Sequence, residues 1–138
     1  GQQILDALEW GAKNVPDESG CFFQVSGLTN EVDVTIPSNF VEDENGLMAG
    51  IEGPRRVKNV MVGDEPIDPA KIYTVSSTDY ILLDHGDGLT AFDGAKVLQD
   101  QTQQDTQILI DYIAESLGGT VGEQYADPYG EGRITIIE

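Results

Sequence analysis

An α+β fold, a mixed β-sheet packed by helices in a single domain spanning residues 1–138, is what this sequence predicts, and three observations carry it. Segments that alternate apolar and polar residues outnumber segments with helical spacing. The connections between them are mostly short, punctuated by Gly or Pro, and hairpin-like. A length of 138 residues with 39% hydrophobic content is enough for one domain to form a core of its own.

The elements follow in order. Ile4, Leu8 and Ala12, with Leu5 and Ala7 beside them, recur at helical spacing up to Asn14, and Pro16 stops that helix. No capping residue precedes it, so a fold boundary cut at its N-terminal side is expected. Phe22 to Val25 and Glu31 to Ile36 read as strands joined by residues 26–30, with Val32, Val34 and Ile36 alternating against polar neighbours and Pro37 ending the second. Glu42-Asp43-Glu44-Asn45-Gly46 reads as an acidic surface turn. Arg56 to Val62 alternates again and turns at Gly63-Asp64-Glu65-Pro66, and Ile72 to Ser76 reads as the next strand. Thr102 with Asp105 gives a capping-box-like start to a helix whose stripe is Ile108, Leu109, Tyr112, Ile113 and Leu117 and whose stop is Gly118-Gly119. Arg133 to Ile137 is a final strand.

Charge narrows the function. Twenty-five Asp and Glu against seven Lys and Arg give a formal net charge of −18. A field of that sign repels phosphate backbones and anionic lipid, so neither nucleic acid nor a membrane surface is an expected partner. No apolar run is long enough to insert into a bilayer. The single cysteine, Cys21, cannot form an internal disulfide and reads as a core thiol.

Most catalytic chemistries lack their residues here. One histidine and one cysteine do not make a dinuclear metal centre. Asp43, Asn45, Gly46 and Glu52 fall at calcium-loop spacing, but Val41 stands at the first ligand position and Pro37 and Pro54 interrupt the flanks, so a solvated loop is expected. Ser26, Ser76 and Ser77 have only His85 as a base, and no nucleophile elbow occurs. Arg55-Arg56, the one basic cluster, is expected to pair with local carboxylates. Two segments remain: Gly20 to Gly27, which carries Phe22 and Phe23, and Tyr80 to Gly88, which carries Asp87 within Gly86-Asp87-Gly88. Each sets an aromatic ring beside Gly-rich backbone that can approach a flat ligand closely. Two such rings suit a nucleobase.

The order of these segments, from Ile4-Leu5-Asp6-Ala7-Leu8-Glu9 through Gly20–Gly27, Arg56-Val57-Lys58-Asn59-Val60, Pro66 to Val75, Thr78-Asp79-Tyr80, Gly86-Asp87-Gly88 and Asp111-Tyr112-Ile113 to Gly132-Arg133-Ile134, resembles the C-terminal domain of the 5'-nucleotidase family. That family includes UDP-sugar hydrolases and cyclic-nucleotide phosphodiesterases. The resemblance implies a nucleoside-binding domain in which Phe22 and Tyr80 stack on the base and Asp87 accepts hydrogen bonds from the sugar hydroxyls. It implies no cofactor in this chain; two divalent metal ions belong to a separate N-terminal metallophosphoesterase domain, which is the expected partner and which hydrolyses the nucleotide. An extracellular, cell-surface or periplasmic location follows from the same resemblance. The rival reading is a non-catalytic binding module of the same fold. Two departures stand out: Tyr80 and Asp87 are seven positions apart where the family has six, and His85 stands where a glycine is expected. The family's Asn-Gly-Gly-x-Arg motif is missing; it is expected upstream of Gly1.

Overall fold

Helix α1 (Gln2–Gly11) organises the packing, because its apolar side chains divide between two adjacent faces. Leu8 and, just past the helix, Ala12 join Val32, Val57 and Val60 in one buried cluster, with Ile4 and Leu5 packed against it. Ala7 and Trp10 join Leu89 in a second, flanked by Phe23, Phe40, Met48 and Ile81. The helix is as the spacing of Ile4, Leu8 and Ala12 predicts, although it stops at Gly11, short of Asn14.

The computed structural model describes residues 1–127 and 130–138. Two compact units are present: Gly1–Gly94 together with Gly132–Glu138, and Ala95–Glu131. The first holds β1 (Leu28–Asp33), β2 (Phe40–Glu42), β3 (Met48–Ile51), β4 (Val57–Val62), β5 (Glu65–Pro66), the short helix α2 (Asp79–Leu82) and β6 (Ile134–Ile137). The main sheet has the order β5-β4-β1-β6. It is mixed: β1 runs antiparallel to β4, which runs antiparallel to β5, and parallel to β6. Val32, wholly buried, stands opposite Val57 on one side and Ile136 on the other. Strands β2 and β3 make a separate antiparallel hairpin. Its turn is closed by Asp43, whose carboxylate accepts the N–H groups of Leu47 at 2.8 Å and Asn45 at 2.9 Å; these bonds hold its pKa below the usual carboxylate value.

A buried carboxylate ties α1 to the sheet. Glu9 is almost fully enclosed, and its two oxygens accept the backbone N–H groups of Arg56 and Val57, each at 2.9 Å. Hydrogen bonds to a charged acceptor contribute about 1.5–3 kcal/mol each. The buried Arg56 guanidinium donates in turn to the Ala12 carbonyl at 3.2 Å.

Three expectations about strands need correction. Phe22 to Val25 forms no ladder: its apolar side chains pack against the two buried clusters instead, Phe22 and Val25 on one and Phe23 on the other. Ile72 to Ser76 likewise has no partner, and Ile72 is 93% exposed. The strand expected over Glu31 to Ile36 begins earlier, at Leu28, and ends at Asp33. It ends there because the Asp33 carboxylate captures the Thr35 N–H at 3.0 Å, an Asx turn that takes the backbone out of the ladder.

The second unit contains α3 (Asp105–Asp111), continued by a π-helical turn over Tyr112–Ser116. It starts after Gln104 rather than at the expected Thr102 cap, with Asp105 in its first turn. Gln103 and Gln107 both donate to the Asp111 carboxylate, and the Tyr112 and Tyr125 hydroxyls lie 2.6 Å apart.

Candidate nucleoside site

Tyr80 lies in the first turn of α2, where the Asp79 carboxylate accepts its N–H at 2.9 Å. The N–H groups of Leu83 and Asp84 both return to the Asp79 carbonyl, at 2.8 and 3.1 Å, which closes the helix after one turn. His85 then adopts left-handed backbone, φ 53°, and Asp87 does the same at φ 52° inside the 3₁₀ turn Gly86–Gly88. Such conformations cost non-glycine residues about 1–3 kcal/mol each, so something must hold them.

Asp87 is held from three sides. Its N–H donates to the Tyr80 hydroxyl oxygen at 3.1 Å, and that hydroxyl donates to Asp87 Oδ1 at 3.1 Å. The Trp10 indole N–H, inside the second cluster, donates to the Asp87 carbonyl at 3.0 Å. Asp87 Oδ2 accepts no hydrogen bond among the described residues and is free for a ligand's donor. The glycines are required by space: a Cβ on Gly86 would overlap the Tyr80 ring, and one on Gly88, φ 80°, would run into the Gly46 carbonyl. Because Gly86 has no side chain, the Tyr80 ring lies against the backbone while half of its surface stays in solvent.

The surrounding fold anchors this turn. Leu89 is buried in the second cluster, the Thr90 hydroxyl donates to the Met48 carbonyl of β3 at 2.7 Å, and Gln3 of α1 donates to the Ala91 carbonyl at 2.8 Å. A half-exposed ring and an exposed carboxylate therefore stand together on a rigid base, an arrangement suited to stacking on a flat group while accepting a hydroxyl proton.

Phe22 sits elsewhere on α1's surroundings. It packs against the cluster of Leu8, Ala12 and Val32, and lines a groove of about 340 Å³ with Val15, Pro16, Asp17, Glu18, Ser19 and Ile136. Phe23 packs against the Trp10 cluster instead, so both rings are partly buried, each against a different cluster. Tyr80 and Asp87 are thus brought together directly, whereas Phe22 belongs to a different cluster.

The sequence offered no sign that Trp10 would support Asp87 across 77 residues, or that His85 would pair with Asp93; only a long-range contact reveals either. Arg55 pairs with the Asp6 carboxylate as expected, whereas the Arg56 guanidinium is buried and donates to the Ala12 carbonyl rather than to a carboxylate. Cys21 is buried and unpaired with any second cysteine. Among the described residues no group of three or more His, Cys, Asp or Glu side chains converges to hold a metal ion. No helix among them is long and apolar enough to cross a membrane.

A mixed sheet packed by helices, with a Gly-Asp-Gly turn set against an aromatic ring, is the fold of the C-terminal domain of 5'-nucleotidases. The chain belongs to the 5'-nucleotidase C-terminal-domain family, whose model, described as "5'-nucleotidase, C-terminal domain", matches residues 1–94. It is 29% identical over 94 residues, 68% of its length, to the trifunctional nucleotide phosphoesterase protein YfkN of Bacillus subtilis. It is 32% identical over 142 aligned positions, covering all of its length, to an apyrase of Tabanus yao. It spans only 6% of the first relative and 23% of the second. No solved structure matches it with significance.

Proposed function

We propose that this chain is the nucleoside-recognition domain of a 5'-nucleotidase-type enzyme that hydrolyses nucleotides to nucleosides and phosphate. The observation that carries this reading is the Tyr80–Asp87 pair: the ring is half exposed, and its hydroxyl donates to the carboxylate beside it. In the proposal Tyr80 and Phe22 stack on the base and Asp87 accepts the sugar hydroxyls. A metallophosphoesterase domain elsewhere in the protein would hold two divalent ions, which supply an activated water for attack on phosphorus. That division of labour accommodates the charge of −18, because cations outside this chain meet the phosphate that its own carboxylates repel. We assign the enzyme to the exterior of the cell or the periplasm on the family resemblance, which fractionation of the native protein tests.

Asp87→Ala in the full-length protein tests the site. Loss of a charged acceptor removes about 1.5–3 kcal/mol, so kcat/KM for a nucleotide should fall roughly 10- to 150-fold relative to that for a small base-free phosphoester. Equal losses on both substrates would rule the role out. The separation of Phe22 from the pair favours a second reading, a binding module of the same fold without nucleoside recognition. Under that reading neither Asp87→Ala nor Phe22→Ala changes the ratio of the two substrates.

A further inference from the structure

We infer that His85 is a positioning residue for Asp87, acting through Asp93; this rests on the nucleoside reading above. His85 Nε2 lies 2.8 Å from Asp93 Oδ1. The two residues bracket the Gly86–Gly88 turn, so their contact closes a loop of side chains and backbone around Asp87.

The acceptor is itself fixed. The Asp93 N–H donates to the Thr90 carbonyl at 3.0 Å, and Gln3 of α1 reaches the Asp93 carbonyl at 3.4 Å as well as that of Ala91. A path of contacts therefore runs from Gln3 through Asp93 and His85 to the turn, and Trp10 holds the Asp87 carbonyl from the same helix.

The backbone explains why a side chain is needed there. Left-handed backbone is the natural conformation of glycine, and at His85 it is occupied by a residue with a side chain. The imidazole contact ties this left-handed residue to Asp93 on the far side of the turn and so anchors the segment that carries the Asp87 carboxylate. With His85 and Asp93 41% and 62% exposed, the pair adds little to global stability. Its effect falls on the turn.

The test uses five variants of the full-length protein, Asp87→Ala among them. His85→Asn tolerates the left-handed backbone but is too short to reach Asp93. It should raise KM for a nucleotide about 3- to 10-fold relative to that for a base-free phosphoester, with kcat and the melting temperature close to wild type. Asp93→Ala should do the same, the double variant should add nothing further, and Asp93→Asn, which keeps an acceptor oxygen, should restore most of the affinity. If Asp87→Ala raises the nucleotide KM and His85→Asn does not, the positioning role falls while the nucleoside site stands. If Asp87→Ala has no effect, the nucleoside reading falls and takes this inference with it. A lowered melting temperature with equal losses on both substrates would make His85 a structural residue only and overturn the inference.

Discussion

The two units of the chain dispose of their apolar side chains in opposite ways. In Gly1–Gly94 with Gly132–Glu138, one helix buries Leu8 and Trp10 in two clusters, and its single buried carboxylate is satisfied by two backbone N–H groups. In Ala95–Glu131, helix α3 also carries an apolar run, yet its Ile108, Leu109 and Ile110 are 53%, 58% and 56% exposed. Periodicity specifies a helix, but burial needs a partner surface brought in from far along the chain. The first unit has one in β1, β4 and the segment after α2. The family match covers residues 1–94, the stretch that holds both clusters except β6.

The largest expected effect tests that contrast directly. Trp10→Ala removes a wholly buried ring and the donor to Asp87, and should destabilise the protein by about 3–5 kcal/mol in urea unfolding. Leu109→Ala, on the exposed face of α3, should stay within about 0.5 kcal/mol. A loss of more than about 2 kcal/mol for Leu109→Ala would show that this apolar face is covered in solution, and the contrast would fail.

A smaller effect sharpens the comparison within the first unit, between the Tyr80–Asp87 turn and the Phe22 groove. Stacking of a base on an aromatic ring contributes about 1–3 kcal/mol, so Phe22→Ala should lower kcat/KM for a nucleotide roughly 5- to 150-fold relative to a base-free phosphoester. If both substrates lose equally, Phe22 serves the cluster of Leu8 and Val32 and not the ligand.

How far the sequence reveals this depends on the distance over which each feature is determined. The spacing of Ile4, Leu8 and Ala12 is local, and α1 follows from it. Alternation in 56–62 is local too, and β4 follows; Gly86 and Gly88 mark a turn whose need for glycine the structure explains through Tyr80 and Gly46. Phe22 to Val25 and Ile72 to Ser76 have the same β-prone composition but no ladder partner, and a strand without a partner does not form. The start of β1 was hidden because Leu28 to Asn30 reads as turn, while the irregular register between Thr29 and Glu31 lets it enter the sheet. Trp10 under Asp87 depends on a contact 77 residues apart.

The smallest effect separates the two units by pH. In the first, Asp33 accepts hydrogen bonds from Lys58 at 2.6 Å and from Thr35, which hold its pKa at about 2 against an ordinary 3.8. A carboxylate depressed in the folded state lends stability that is present above pH 3.8 and is lost as pH falls toward about 2. In the second unit, Tyr125 is raised above its ordinary 10.0, first by its hydrogen bond with Tyr112 and then by burial. A phenol raised in the folded state lends stability that is present below pH 10.0 and is lost above it. The acid limb of a stability profile therefore reports on the first unit, through Asp33 in the sheet and Asp43 in the β2–β3 turn, and the alkaline limb on α3 and its turn. Asp33→Asn should flatten the fall between pH 3.8 and about 2 and leave the alkaline side alone, and Tyr125→Phe should do the reverse. Urea unfolding across the pH range, followed by far-ultraviolet circular dichroism, checks both. If Asp33→Asn altered the alkaline limb, the two units would be unfolding as one, and their titrations could not be assigned separately.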